Sequence, residues 1–449
     1  MATALPKPAL CNVGRAREVI TPPLGSSLAG YFHDRRGTRV RDDLHAKAVV
    51  IESEGSRLAL VSCDLISVTA DVVDAARQLI EAETGIRPHQ VLVCATHTHT
   101  GPEMRRSSVV ERSDAWAEAL PRHIADAVRR AAEGLVPATL RAGSIDVEGY
   151  SFNRLFRLTD GSEQFGSRGR DDEVIAEAGP IDPQLQALSA FDAEGNLLAL
   201  LVNFALHADV IGGGSADFIS ADWPGELGKA IAAVYGPDAV TLLLQGTCGD
   251  INHSIHTPTN LPRGGPAKAV QLGRALAGAA MAAMERAEPM TSIPLDAHVE
   301  TLAVPYYTRD DALFAEVAAL KAREKLGDFE RYLIERCESW RHDGQLADVP
   351  VQTLRIGPVA IVALPAEIFV RIGLEIKQWS PSEATFVVEL ANARASTYVP
   401  TTDQAERGAY GAKPILSRWL CADAGRRMAD AALVMLHRMF RVPMAPSKG

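Results

Sequence analysis

The chain has 449 residues, 47% of them hydrophobic, and is therefore long enough to bury a large core. Its 46 basic and 56 acidic residues give a formal net charge of −10 without long runs of one sign, which argues against nucleic acid as a partner. The first 25 residues lack the apolar core of a signal peptide, and no uncharged run is as long as a membrane span. We therefore expect a cytoplasmic protein without membrane insertion, and its oligomeric state stays open.

Short apolar runs alternate along the chain with amphipathic helical patterns. The runs expected to be buried strands are 48–51, 58–62, 91–95, 198–204, 240–244 and 359–364. The helical patterns cover 72–84, 115–133, 225–235, 267–286 and 422–440. This alternation predicts an α/β fold of mixed β-sheets flanked by helices. We expect one large catalytic domain over residues 1–440, with a charged helical excursion at 310–341 and a loose tail at 441–449.

The first residues that suggest chemistry are His97 and His99, which follow the apolar run 91–95 and precede a turn. Because side chains alternate along a strand, the two imidazoles are expected to share one face. Ligands of α/β sheets collect at the carboxyl ends of strands, so the pair suits metal binding, or one metal ligand beside a proton carrier. The same pattern also fits two polar histidines that end a strand and hold no metal.

Two later strand ends also carry polar residues. His207 ends one apolar run, although a lone histidine there is more often structural. The next run leads into a glycine-containing loop with Cys248, Asn252 and His253, whose backbone amides could face a substrate oxygen. Cys248 is expected to be a buried thiol and not a nucleophile.

The C-terminal part of the chain adds a carboxylate and a phenol. Glu367 follows the apolar run 359–364, and a buried carboxylate needs a cation or a basic partner. Tyr398 fits either a core position or a phenol turned toward an ion. These residues alone do not decide between the two roles.

Together these blocks resemble the neutral ceramidase family over nearly the whole chain. The motifs that carry the resemblance are HTHTGP at 97–102, NFALH at 203–207, GDIN at 249–252, PAE at 365–367 and YVPTT at 398–402. The family's additional C-terminal immunoglobulin-like domain has no counterpart in this sequence.

The resemblance implies a zinc-dependent amidase with one ion per chain. By position in the motifs, it implies that His97, His207, Glu367 and Tyr398 are the zinc ligands. It also places His99 near the reacting amide and Arg154 against the substrate.

One departure from the family concerns the nucleophile. Asn252 stands where the family has its catalytic serine, and an asparagine amide cannot attack a carbonyl, although it can donate a hydrogen bond to an oxyanion. We therefore expect metal-activated water to cleave the bond. In this scheme His99, or else His253, carries the proton, while Arg154 and Asn252 stabilise the oxyanion.

A second departure concerns the substrate. Arg105 and Arg106 follow the histidine motif, where a lipid hydrolase would carry a more apolar surface. They predict that one arginine meets an anionic or strongly polar group of a small N-acyl substrate. An ester or lactone substrate, and a noncatalytic metal-stabilised binding protein, are the alternatives.

Overall fold

The computed structural model describes residues 7–105, 110–166, 169–253, 261–393, 395–407 and 410–440. The α-helices in these ranges are α1 (Ala70–Thr84), α2 (Asp114–Glu133), α3 (Asp222–Tyr235), α4 (Gly265–Glu285), α5 (Asp311–Lys321), α6 (Asp328–Ser339), α7 (Val370–Trp379), α8 (Thr402–Arg407) and α9 (Ala424–Met439). The strands are β1 (Cys11–Val19), β2 (Arg39–Val40), β3 (His45–Ser53), β4 (Ser56–Cys63), β5 (Val91–Ala95), β6 (Val136–Asp146), β7 (Phe152–Asn153), β8 (Leu155–Leu158), β9 (Glu163–Phe165), β10 (Val174–Glu177), β11 (Gln184–Phe191), β12 (Leu197–Phe204), β13 (Phe218–Ile219), β14 (Val240–Gln245), β15 (Ile251–Asn252), β16 (Leu295–Pro305), β17 (Leu346–Ile356), β18 (Val359–Ala363), β19 (Glu367–Ile368), β20 (Ala384–Val388) and β21 (Tyr398–Val399).

The predicted apolar runs and helical patterns all coincide with these elements to within a few residues at each end. The charged excursion forms α5 and α6, which are separated around Gly327 as its sequence predicts. The predicted tail, residues 441–449, and the predicted substrate residue Arg106 lie outside the described residues.

The largest sheet has eight strands in the order β14-β12-β11-β6-β1-β3-β4-β5. Its outermost pairs, β12 with β14 and β4 with β5, are parallel, whereas the inner neighbours are antiparallel. At its middle, β1 and β6 pair over three residues only. The sheet bends at this short junction.

The bend brings distant strands together. In a flat sheet β4 and β14 would lie six strand spacings apart, or about 29 Å. Instead, the Ser62 hydroxyl of β4 donates a 2.6 Å hydrogen bond to the Leu243 carbonyl oxygen of β14. The two halves of the sheet therefore face each other across a shared core.

A second sheet completes this core. It has four strands in the order β16-β17-β18-β20. Its inner residues, such as Leu354, Ile361 and Phe386, pack with Leu92 of β5 and Leu244 of β14 in one buried cluster. On the outside, α1 and α2 cover one half of the large sheet, α3 and α4 cover the other half, and α7 and α9 cover the second sheet. The predicted α/β class, with mixed sheets flanked by helices, is confirmed.

This arrangement decides where the loops meet. β5, β12, β14 and β18 belong to three different faces of the core, and the segments that follow their carboxyl ends contact one another. Those segments contain the histidines and the glutamate that the sequence singles out. In the described part of the chain, no helix combines the length and the hydrophobicity that a membrane crossing requires.

Candidate active site

The histidine pair lies in the turn that follows β5. The strand ends at Ala95, and His97 has a φ of +69°, in the left-handed region that residues with a side chain rarely adopt. The rings of His97 and His99 are nevertheless neighbours, with centroids 4.8 Å apart. The expectation that they share a face therefore holds, but strand alternation is not the cause, because both residues lie beyond the strand.

Ring nitrogens from three histidines point at one another in the core. His97 Nε2 lies 3.0 Å from His207 Nε2 and 3.3 Å from His99 Nε2, and the three residues together form a buried group that could hold a metal ion. Glu367 adds a carboxylate, since its Oε2 lies 3.4 Å from His97 Nε2 and 3.6 Å from His207 Nε2. Three segments far apart in sequence thus converge on one point.

Hydrogen bonds behind the rings fix which nitrogens face this point as acceptors. His97 Nδ1 lies 2.8 Å from the Ile66 carbonyl oxygen, and His207 Nδ1 lies 2.8 Å from that of Cys248. A carbonyl oxygen only accepts, so each neutral ring carries its hydrogen on Nδ1 and turns the lone pair of Nε2 inward. The buried Glu367 Oε2 has no hydrogen-bond partner in the described part of the chain. Lone pairs that face each other in this way repel unless a cation lies between them.

The separations fit a metal ion. Zinc binds histidine nitrogen at about 2.0–2.1 Å in a tetrahedron, whose edge is then about 3.3 Å. The four separations among His97, His99, His207 and Glu367 given above span 3.0 to 3.6 Å. The donor set of imidazoles and one carboxylate suits zinc and other divalent ions alike.

The histidines and the glutamate of this cluster differ in charge. Burial holds the pKa values of His99 and His207 well below the usual histidine value, so both rings are neutral near pH 7. Burial opposes ionisation of Glu367 as well, but its histidine neighbours hold the pKa of its carboxyl well below the usual range. The cluster therefore holds a carboxylate beside neutral rings, which favours a cation.

A second group of residues lies next to the histidines. Arg154 is partly buried, and its Nη2 donates to the Gly249 carbonyl oxygen at 2.7 Å and to the Tyr398 hydroxyl at 3.1 Å. Tyr398 pairs with Glu367 through the parallel strands β19 and β21. A side chain at Gly249 would place its Cβ 2.9 Å from the Glu367 carbonyl oxygen, so only glycine lets this loop pack there. Arginine, tyrosine and glutamate are thus tied into one unit.

Asn252 and His253 follow in the same loop. The Asn252 side-chain oxygen accepts from the His253 backbone N–H at 2.7 Å. Burial lowers the pKa of His253 to about 4, and its Nδ1 is buried without a partner among the described residues. His253 is therefore neutral near pH 7 and keeps a lone pair available.

Cys248 is buried behind His207, as the sequence predicts. Burial raises the pKa of its thiol well above the usual value, so it is not a nucleophile at neutral pH. Its Sγ lies 3.3 Å from His207 Nδ1 and 3.0 Å from the carboxyl group of Glu389. The thiol packs against the outer edge of His207 and holds that ring in place.

A small cavity lies against the site. A cavity of about 50 Å³ is lined by His99, Glu367, Tyr398, Arg105 and Tyr332, among others. Arg105 makes a two-pronged ion pair with the buried Glu103, with contacts of 2.8 and 2.6 Å. Tyr332 comes from α6, so the helical excursion forms part of the wall. A wider open cleft of about 530 Å³, lined by Arg355 among others, contains none of the predicted site residues.

Sequence reasoning passed over two residues of this site. Asp209 lies beside His99, and Arg35 donates to the His99 carbonyl oxygen at 2.8 Å. A signal for Asp209 exists in the sequence, because a carboxylate two residues after the strand-end His207 is unusual in an apolar segment. Arg35 gives no such signal, since it lies in a loop far from every motif.

Comparisons with known proteins identify the fold. No protein-family model matches the chain. The neutral ceramidase of Pseudomonas aeruginosa is 28% identical over 173 residues, which are 36% of this chain and 24% of that protein. The crystal structure of the Pseudomonas aeruginosa enzyme superposes with a TM-score of 0.75 at 20% identity, covering all of this chain and 76% of the other. A ceramidase complexed with C2 also gives 0.75 at 20%, covering 99% and 77%.

The resemblance to the neutral ceramidases that the motifs predict is therefore confirmed, and the fold is theirs. The sequence match itself spans about a quarter of the length of the curated relative.

Proposed function

We propose that this chain, which has the neutral ceramidase fold, is a metal-dependent hydrolase that cleaves an amide bond in a small or polar N-acyl substrate. The observation that carries the proposal is the meeting of His97, His207 and Glu367 through acceptor atoms alone. We propose one zinc ion per chain. An ion held by these residues, with Tyr398 as the weaker ligand that the family resemblance implies, supplies Lewis-acid polarisation of a carbonyl group and lowers the pKa of water.

Arg154 and Asn252 are proposed to stabilise negative charge on the carbonyl oxygen. Arg154 is held in place by Gly249 and Tyr398, so its guanidinium needs no reorganisation during the reaction. Asn252 uses its side-chain oxygen for the His253 backbone, and its NH2 group has no partner within the described ranges. In a site that lacks the serine of the family, water is the proposed nucleophile, and these two donors are proposed to stabilise the charge on the oxygen.

His253 is proposed to carry the proton that passes to the leaving amine. A base must be unprotonated at the working pH, and the lowered pKa of His253 meets this condition. His99, the other candidate, turns Nε2 toward His97 at 3.3 Å and so belongs to the group of proposed metal ligands. This geometry favours His253 for the proton and leaves His99 for the ion.

The substrate is proposed to be small and to carry a polar or anionic group. A cavity of about 50 Å³ does not accommodate a long acyl chain without movement of its walls. Arg105 lines this cavity and forms an ion pair with Glu103. A substrate anion would bind the same guanidinium group beside Glu103. The cytoplasmic location remains a prediction.

The experiment is elemental analysis of the purified chain beside two variants. We expect about one zinc per chain in the parent and little in Glu367→Ala, because the cluster loses its only charged ligand. Glu226→Ala is the matched control, since Glu226 is also partly buried and ion-paired but contacts Arg41 instead. A parent without metal, or a Glu367→Ala protein that keeps its ion, refutes the proposal.

Matched amide and ester panels then assign the reaction. Amide turnover should disappear on chelation and return with zinc. Turnover of esters or lactones alone would replace the amidase assignment, and a zinc-loaded protein inactive on both panels would indicate a binding protein. Within the amide panel, an Arg105→Ala variant with an unchanged KM for anionic substrates would exclude the proposed role of Arg105.

A further inference from the structure

His99 presents its two ring nitrogens to two different environments. Nε2 lies 3.3 Å from His97 Nε2, within the group of proposed metal ligands. Nδ1 is buried without a hydrogen-bond partner among the described residues, and the carboxylate of Asp209 lies 3.7 Å from it. A buried N–H without a partner is costly, so this edge of the ring needs an acceptor.

Asp209 is itself held firmly. The Tyr31 hydroxyl donates to both carboxylate oxygens, at 3.0 and 2.8 Å. The Tyr31 ring lies edge-on to His99 with centroids 6.0 Å apart, and the Arg35 guanidinium stacks over Tyr31 at 4.3 Å. The carboxylate therefore has a fixed position beside the imidazole.

The backbone leaves room for this arrangement at one point. Gly30 has a φ of +96°, and a Cβ at this position would lie 2.3 Å from His99 Nδ1. Any side chain would displace the ring from the carboxylate. Glycine at position 30 therefore leaves the Nδ1 edge of His99 free to face Asp209.

We propose that Asp209 is a positioning residue that orients His99 so that its Nε2 is an additional ligand of the metal ion. This inference rests on the proposed function. Histidines that bind metals usually donate their second ring N–H to a carboxylate or a carbonyl, which fixes the tautomer and strengthens the ligand. His97 and His207 use carbonyl oxygens for this purpose, and His99 uses Asp209. A displacement of less than about 1 Å brings the 3.7 Å contact to hydrogen-bond length.

The test measures zinc dissociation constants of the full chain by competition with a chelator. Asp209→Asn keeps the shape and an acceptor for Tyr31 but removes the charge. We expect it to weaken zinc binding by about 10-fold to 100-fold. In a His99→Gln background the same change should have no further effect, because the carboxylate acts through that ring.

Two more variants guard against misfolding. Tyr31→Phe leaves the carboxylate in place but removes the hydroxyl that holds it, and should weaken zinc binding less than Asp209→Asn. Asp182→Asn is the control, because Asp182 is a buried carboxylate paired with Lys377 at 2.6 Å and has no contact with the site. It should alter the free energy of unfolding but not zinc affinity.

An Asp209→Asn protein with a zinc dissociation constant within twofold of the parent overturns the inference. So does an equal loss in the parent and in the His99→Gln background, since that result marks a general structural effect. In both cases the parent still binds zinc, and the proposed function stands. A parent that binds no zinc refutes the proposed function, and this inference with it.

Discussion

The two ends of the site differ in how complete they are. At the histidine end, His97, His207 and Glu367 turn acceptor atoms toward one another. At the arginine end, Arg154 donates to the Gly249 carbonyl oxygen and to the Tyr398 hydroxyl, so donors meet acceptors. The first arrangement needs a cation, whereas in the second the Arg154 Nη2 donor already has acceptors within the chain. Different residues therefore serve ion binding and charge stabilisation, although the two ends are in contact through the paired strands β19 and β21.

The largest expected effect separates the two ends directly. Arg154→Ala removes a preorganised cationic donor, and we expect kcat to fall by about 100-fold to 1000-fold while the zinc content stays near that of the parent. Arg154→Lys keeps the charge but loses the planar geometry, so its kcat should lie between that of the parent and that of Arg154→Ala. The measurement is kcat, KM and zinc per chain for each protein. If Arg154→Ala lost its zinc, the two ends would form one indivisible unit.

A smaller effect concerns the pH dependence of stability and His253, which is not one of the proposed metal ligands. Its pKa falls from 6.5 to about 4 on folding, so the unfolded chain binds the proton more readily between these values. The contribution to stability is complete above pH 6.5 and is lost as the pH falls toward 4, by about 3 kcal/mol.

Denaturant unfolding of the parent and of His253→Gln at several pH values measures this term. The parent should lose stability more steeply than the variant between pH 6.5 and 4. His298→Gln is the control, because His298 is an exposed histidine and its removal should leave the slope unchanged. Parallel curves for the parent and His253→Gln would contradict the assignment.

The smallest effect tests which end Tyr398 serves. The family resemblance makes it a zinc ligand, whereas its hydroxyl lies 3.1 Å from Arg154 Nη2. We expect Tyr398→Phe to weaken zinc binding by about fivefold or less, which corresponds to about 1 kcal/mol for one hydrogen bond. Chelator competition provides the measurement. A loss as large as that of Glu367→Ala would instead place Tyr398 among the principal ligands.

Much of the fold could be read from residue patterns. The strands β5, β12, β14 and β18 and the helices α1 to α4 follow from apolar runs and from three-and-four spacing, because both patterns are local. The five motifs at 97–102, 203–207, 249–252, 365–367 and 398–402 predict the candidate site. The carboxylate two residues after His207 is visible in the sequence, but its role is not, because the partners of Asp209, Tyr31 and His99, lie more than a hundred residues earlier in the chain.

By itself, the sequence determined the α/β class and the polar residues that follow the strands: His97, His207, Asn252 and Glu367. The tertiary structure decided that these ends meet. The large sheet bends at the three-residue junction between β1 and β6, which brings β4 against β14, and the second sheet adds the loop of Glu367. The direction in which each ring nitrogen points is also a tertiary property, because it depends on the carbonyl oxygens of Ile66 and Cys248, which come from other parts of the chain.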